Sequence, residues 1–314
     1  MSFSSDVKNE AAQIELEKNE GRAELSALIQ MCSSLSLSNR GMTIKVQVEN
    51  AAVARTVCRL VKDRYNAEIA LSVKRKMNLK KNLIYGIRIM TGAPVILTDL
   101  GIYSSRGLLE VPLHKIVSND SQARAYLCGA FLAGGSINPP EKTNYHLEIT
   151  ANNEKQAVLL QELLTRFEIH AKTIERRGKQ IVYVKAAEKI ADFLRIIGAN
   201  EAVMKFENIR ISRDFTNSLT RLNNCDVANE VKTQNAAKNQ LEDIALLEEM
   251  HVLRHLDKKL QDVAQLRKEN PEASLNELCV LYEELTGSSV SKSGMKHRFV
   301  RMHELAEERR KQHV

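Results

Sequence analysis

Two hydrophobic periods alternate along the first part of the chain. Over residues 42–49, Ile44, Val46 and Val48 alternate with Lys45, Gln47 and Glu49, the two-residue period of a half-buried strand following a turn at Asn39-Arg40-Gly41. From Asn50 the period lengthens, and Val53, Val57, Leu60 and Val61 share one helical face. Residues 68–73, with Ile69, Leu71 and Val73, and residues 83–90 return to strand. Thr91-Gly92-Ala93-Pro94 then opens a helix, proline being tolerated in a first turn. A charged helical lead-in (residues 4–20) and a helix (22–33) precede all of these. The order is helix, two strands, helix, two strands, helix.

That order recurs. Residues 125–133 form a helix whose small residues, Gly129 and Ala133, share one face and let another helix come close. Gly134-Gly135 is expected to supply the positive-φ freedom needed to leave the helix. Ser136-Ile137-Asn138, a loop at 139–144 and a strand at 145–150 follow. Asn152 or Asn153 caps a helix with Val158, Leu159, Leu163 and Phe167 on its face. A hairpin of 169–174 and 181–184 turns at Arg176-Arg177-Gly178-Lys179, and 188–197 is the closing helix. Residues 24–35 lie on 126–137 without a gap, with Leu25 on Leu127, Ala27 on Gly129 and Leu35 on Ile137. Val57, Val61 and Tyr65 fall on Leu159, Leu163 and Phe167 at the same offset. An internal repeat with matched element order predicts a pseudo-twofold α+β domain over about 20–217, in two αββαββα halves.

Residues 201–250 contain neither proline nor glycine and read as one polar amphipathic stretch. Asparagine is a mediocre helix former, so its density here calls for a reason. Asn229, Lys232, Asn235 or Ala236, and Asn239 recur at helical spacing, and with Arg221 and Asn224 they form a stripe of amides and cations suited to phosphates and base edges. Beyond it, Leu256, Leu260, Val263 and Leu266 mark one helical face, broken at Asn270-Pro271. Ser274 and Glu277 make a capping box for a helix carrying Leu275, Leu278, Cys279, Tyr282 and Leu285. Thr286-Gly287 turns the chain. Ser291 starts a third helix with Met295, Phe299, Met302 and Leu305 or Ala306 inward. This is the layout of a helix-turn-helix, with Ser274, Ser291, Lys292, Ser293, Lys296, His297, Arg298 and Arg301 as its candidate DNA contacts.

Composition narrows the chemistry. The formal charge of +7 over 314 residues favours a polyanionic partner. Aromatics are only 4% and tryptophan is absent, which disfavours a base-stacking single-strand binder or a carbohydrate binder. Five cysteines with no C-x-x-C pair fit reduced thiols, not a disulfide framework or a zinc knuckle. No signal-peptide core and no apolar run of membrane-spanning length are present, so a cytoplasmic location is expected, to which the family resemblance described below adds association with the nucleoid.

Three sequence features carry a resemblance. The nine residues L-C-G-A-F-L-A-G-G (127–135) are similar to the LAGLIDADG motif of homing endonucleases. Together with R-L-N-N-C-D-V-A-N-E-V-K-T-Q-N-A-A (221–237) and the ending N-P-E-A-S-L-N-E-L to S-V-S-K-S-G-M-K-H-R (270–298), they make the chain resemble the WhiA family over its whole length. The resemblance implies a LAGLIDADG-like domain in halves 1–115 and 116–217, a linker helix 218–250 and a helix-turn-helix domain 251–314. It implies a DNA-binding transcription regulator of sporulation, cell division or chromosome segregation. In the endonucleases the eighth motif residue is an acid that holds the catalytic metal, and sheet side chains read the DNA. Here Cys32 and Gly134 stand at the acid positions, so neither catalytic nor metal-ligating residues are expected, and no cofactor.

Other enzymatic readings fail on residue identity. His251 and His255 flank Val252 where a zinc protease needs glutamate, and the Ala133-Gly134-Gly135-Ser136 turn lacks the lysine of a phosphate loop. The basic loops Lys74-Arg75-Lys76, Lys80-Lys81 and Arg176-Arg177-Gly178-Lys179 fall at equivalent hairpins and could lie along phosphates. Double-stranded DNA is the expected partner, with a second regulatory protein left open and the oligomeric state unspecified. The competing reading is a protein-interaction scaffold of the division machinery that uses the nuclease-like surface and binds DNA only weakly.

Overall fold

The computed structural model describes residues 2–38, 41–75, 83–142 and 144–312. The turn residues Asn39 and Arg40, and Lys76, Lys80 and Lys81 of the first basic loop, lie outside them. The chain divides into two units, Met1–Arg213 and Asp214–Val314.

The first unit is built on two central helices, α2 (Lys18–Cys32) and α5 (Asp120–Gly134), both 15 residues long. They begin 102 residues apart, as the gapless alignment expects. Around α2 stand α1 (Phe3–Ala11), β1 (Ser33–Ser38), β2 (Gly41–Val48), α3 (Ala51–Tyr65), β3 (Ile69–Arg75), β4 (Leu83–Ile89) and α4 (Ala93–Asp99). A small hairpin, β5 (Tyr103–Ser104) and β6 (Gly107–Leu108), leads to α5. The second half adds β7 (Gly135–Ile137), β8 (Leu147–Ala151), α6 (Glu154–Thr165), β9 (Lys172–Arg176), β10 (Lys179–Val184) and α7 (Ala187–Ile196). The two antiparallel sheets match strand for strand, β1-β2-β4-β3 and β7-β8-β10-β9. This is the pseudo-twofold α+β architecture expected.

The repeat offset is not constant. Ser33 pairs with Val46 in the first half and Gly135 with Ile149 in the second, so the second hairpin is one residue longer. Asn50 caps α3 and Asn153 caps α6, which places the caps 103 residues apart. The counterparts of Val57 and Val61 are therefore Leu160 and Leu164, all four fully buried, and not Leu159 and Leu163. For the same reason Val158 points to solvent, 45% exposed, instead of joining the buried face.

Ile44, Val46 and Val48 are buried as the alternation requires. Leu71 and Val73 are not: β3 is an edge strand, and its side chains extend past the helices that cover β2 and β4. Gly134 and Gly135 also depart from expectation, because neither has a positive φ. Gly135 has extended backbone (φ −85°, ψ 152°), and Ser33 takes a similar conformation in the first half. Glycine is needed at 135 for space, since a Cβ there would collide with the ring and backbone of Phe131.

The second unit packs the end of the 50-residue α8 (Asn200–Glu249) with α9 (Lys258–Glu269), α10 (Leu275–Thr286) and α11 (Lys292–Gln312). Its core contains Ile244 and Leu247 of α8, then Val263, Leu266, Leu278, Tyr282, Met295, Phe299, Met302 and Ala306. A boundary at residue 251 leaves Ile244 and Leu247 outside the unit whose core they help build. Leu285, expected inward, is 58% exposed because Leu278 and Tyr282 already fill the side of α10 turned to the core.

The core position between α9 and α10 is held by Arg267, 1% exposed. Its Nε donates to Gln240 Oε1 at 3.0 Å and its Nη1 to the Ala273 carbonyl at 2.6 Å, with the Asn270 and Pro271 carbonyls at 3.3 Å. The guanidinium also lies 5.4 Å from the Phe299 ring centre. Separate nitrogens of the planar fork serve Gln240 of α8 and the carbonyls after α9, a span that the single ammonium of a lysine does not cover.

Candidate nucleic-acid interface

The motif helices end where an endonuclease of the resembled family would hold a metal, and the residues present do not fit one. Cys32 donates its thiol to the Leu28 carbonyl of its own helix at 2.8 Å. Burial pushes that thiol up to about 12, against the pull of Lys8. Gly134 offers no donor, and a Cβ there would sit 3.0 Å from the Thr150 carbonyl. A divalent cation needs deprotonated ligands or oxygen donors. What faces this place instead is an ammonium: Lys8 of α1 donates to the Leu132 carbonyl at 3.1 Å and lies 5.6 Å from the Phe131 ring centre. Burial lowers its proton affinity to about 8, with Cys32 and Glu49 pulling the other way. Among the described residues, no group of three or more His, Cys, Asp or Glu could hold a metal ion.

The sheet faces turned away from the helices differ between the halves. In the first, Ser34 pairs with Lys45 and Lys45 with Arg88, a row that carries two positive charges. In the second, the matching row is Ser136, Glu148 and Tyr183. There Ser136 donates to Glu148 at 3.1 Å, His146 Nε2 lies 3.2 Å from the same carboxylate, and the His146 and Tyr183 rings stack at 5.6 Å. At the β9–β10 turn Arg177 and Gly178 both have positive φ, 56° and 71°, the two-residue turn that matches strand twist. This basic turn is exposed, whereas its counterpart in the first half is described only at Lys74 and Arg75.

In the second unit α10 and α11 are joined through Gly287, which takes the left-handed conformation (φ 69°) that ends α10. Lys292, Ser293, Lys296, His297 and Arg301 are exposed around the first turns of α11. Three other candidates are committed to the fold. Ser274 and Glu277 form the reciprocal cap of α10. Ser291 accepts from the Gly294 amide at 3.2 Å and shares a hydrogen bond with Ser293. Arg298 is half-buried, its guanidinium 4.4 Å from the Tyr282 ring centre. Arg301 remains at the surface in an ion pair with Glu304 at 3.2 Å.

On α8, Arg221, Asn224, Asn229, Lys232 and Asn235 are all helical and exposed. At 3.6 residues per turn they share roughly 140° of the helix circumference, so they present one polar side. Asn229 also donates to Cys225 Sγ at 3.8 Å. The residues that pure sequence reading passed over are Lys8, Arg267 and Asp243. Asp243, 5% exposed, binds His303 Nδ1 at 2.7 Å and Arg310 at 3.0 Å, which ties α11 to α8. The signal for Arg267 was present, since it continues the Leu260 and Val263 spacing on the buried side of α9.

Comparison with known proteins follows this division. Residues 18–103 match the model for the WhiA N-terminal LAGLIDADG-like domain, 123–216 the WhiA LAGLIDADG-like domain, and 219–306 the WhiA C-terminal HTH domain. A Lactiplantibacillus plantarum protein named "Probable cell division protein WhiA" is 43% identical over 311 residues, 99% of each chain. A Staphylococcus epidermidis protein of the same name is 46% identical over 307 residues, covering 98% of this chain and 97% of that one. The full-length DUF199/WhiA crystal structure from Thermatoga maritima is similar over 98% of this chain and 99% of that one, with 25% identity and a TM-score of 0.61. The N-terminal LAGLIDADG domain of DUF199/WhiA has the same fold over 63% of this chain and 90% of that one, at 24% identity and a TM-score of 0.52. Matched along nearly its whole length to relatives of one name, and in both units to models of one family, the chain belongs to the WhiA family.

Proposed function

We propose that this protein is a DNA-binding transcription regulator serving cell division, chromosome segregation or sporulation. The observation that carries the reading is α11, held against α10 by Met295, Phe299 and Met302 while Lys292, Ser293, Lys296, His297 and Arg301 stand free of the core. A helix so mounted can enter a major groove with its first turns against base edges and phosphates. The polar side of α8, with Arg221, Asn224, Asn229, Lys232 and Asn235, is a further phosphate-facing surface. The name borne by the relatives and the helix-turn-helix family match support the assignment. The cytoplasm and its nucleoid are the corresponding location, and double-stranded DNA the partner.

The nuclease-like first unit acts here as a binding body and not as an enzyme, because a protonated thiol and a glycine stand at its acid positions. In the proposed domain plan, residues 1–115 and 116–217 form its halves. The DNA-binding helices begin within α8, because Ile244 and Leu247 belong to their core.

The test is fluorescence-anisotropy binding of the full chain to promoter and scrambled duplexes across a salt series with Mg²⁺ present. Preference for promoter DNA, a steep salt slope and intact DNA afterwards are expected. No binding above background at physiological salt would overturn the reading in favour of a protein-interaction scaffold, and cleaved DNA would overturn the non-enzymatic assignment.

A further inference from the structure

A groove of about 1040 Å³ opens at the ends of the motif helices, lined among others by Ser4, Ser5, Lys8, Asn9, Arg55 and Gly134. We propose that this groove is a phosphate seat, in which the tethered ammonium of Lys8 and the guanidinium of Arg55 hold a phosphate group without a metal ion. As a contact to DNA, the seat rests on the DNA-binding reading above; as a phosphate site, it stands independently.

Position is the first argument. α1 is anchored in the core by Phe3, Val7 and Ala11, so Lys8 is delivered by a rigid element and pays little ordering entropy on binding. The Leu132 carbonyl takes one of its three N–H donors and aims the amine at the groove.

Charge is the second. Arg55 on α3 is exposed, and Ser4, Ser5, Asn9 and Asn50 also line the groove, with Asn50 committed to Asn9 and to the cap of α3 and Ser4 accepting from the Ile137 amide. The groups that act on Lys8 are Cys32 from α2 and Glu49 from the end of β2, and Arg55 of α3 lines the same groove. Cys32 remains a neutral thiol, so among the described residues Glu49 is the one carboxylate lining the groove, beside Lys8 and Arg55. Burial leaves the Lys8 ammonium short of solvation, and a bound dianion would restore its ordinary proton affinity. An ion pair on such a floor is worth more than one at the surface.

The test uses the full chain with a fluorescein-labelled random-sequence duplex across a salt series, and inorganic pyrophosphate by calorimetry. Lys8→Met removes the amine. Arg55→Gln is a surface change that leaves the fold intact, and Cys32→Asp places a competing carboxylate beside Lys8. Each should abolish pyrophosphate binding and lower the salt slope for DNA by about 1, the loss of one phosphate contact. Pyrophosphate binding that is lost in the variants while the DNA slope stays fixed supports a seat for a free phosphate compound. Pyrophosphate binding by a protein that ignores DNA keeps the seat and removes the regulator reading. DNA binding unchanged in all three variants, with no pyrophosphate bound by the parent chain, overturns the seat and leaves the regulator reading standing.

Discussion

Gly129 of α5 lies against the backbone carbonyl of Glu24 in α2, so close that a Cβ at 129 would overlap that oxygen and come within 3.0 Å of the Ala27 Cβ. The two halves of the first unit meet at this crossing, and one missing side chain sets how near they can come.

Gly129→Ala is therefore expected to destabilise the unit. Alanine is the better helix former by about 1 kcal/mol. Here the overlap is with backbone, which cannot rotate away, and overpacking typically costs about 1–3 kcal/mol. Urea denaturation of the full chain should show a lower midpoint. A midpoint at or above that of the parent would mean that the helices separate without cost.

Glu24 itself is 2% exposed at that crossing and shares a hydrogen bond with the Cys128 thiol. Burial raises its carboxyl to about 7 from the ordinary 4.5, with Cys128 and Arg59 pulling down. In the unfolded chain the carboxyl ionises at its ordinary value, so between 4.5 and 7 the folded state binds more protons. Stability should be greatest below that window, fall as pH rises through it and level off above 7. The total is on the order of 3 kcal/mol. Glu24→Gln should flatten the profile and stabilise the protein at pH 8. An unchanged slope in the variant would assign the dependence to another group.

Arg267→Ala removes the donor shared by Gln240 and the part-buried carbonyls after α9 and opens a cavity beside Phe299. A loss of about 3 kcal/mol is expected for the helical unit. Arg267→Lys should recover only part of it, because one ammonium cannot reach the span of acceptors that the fork does. Thermal melts followed by far-UV circular dichroism decide it, and full stability in Arg267→Lys would contradict the geometric account.

Two changes at the start of α11 should separate contact from support. Lys296→Ala is expected to weaken binding to all duplexes alike and lower the salt slope by about 1, with the melting curve unchanged. Ser291→Ala removes a cap and should cost about 1 kcal/mol of stability, with the salt slope intact. Anisotropy titrations beside melting curves read both quantities. A reversal of the two patterns would exchange the roles assigned to these residues.

Much of the architecture was legible because local patterns carry it. Ile44, Val46 and Val48 announced β2, Asn50 and the pair Asn152-Asn153 announced their helices, the structure choosing Asn153, and the Ser274–Glu277 cap announced α10. The registry between halves was less so. A one-residue difference in hairpin length changes no periodicity, so the offset slipped from 102 to 103 unseen, and Val158 was placed inward. Leu71, Val73 and Leu285 fit their patterns and are exposed all the same, since periodicity says which side a residue lies on and not whether anything covers it.

The sequence by itself determined the repeat, the order of elements, the small-residue contact at Gly129 and the absence of acids at 32 and 134. Each is a statement about residue identity or spacing along one strand or helix. Only the tertiary structure decided that Lys8 closes the space beside Cys32 and Leu132, that Arg267 belongs to a core, and that the end of α8 is part of the helical unit. Those relations join residues up to 124 positions apart. Nothing in local periodicity encodes which surfaces meet; that is settled when the apolar faces of separate elements are buried against one another.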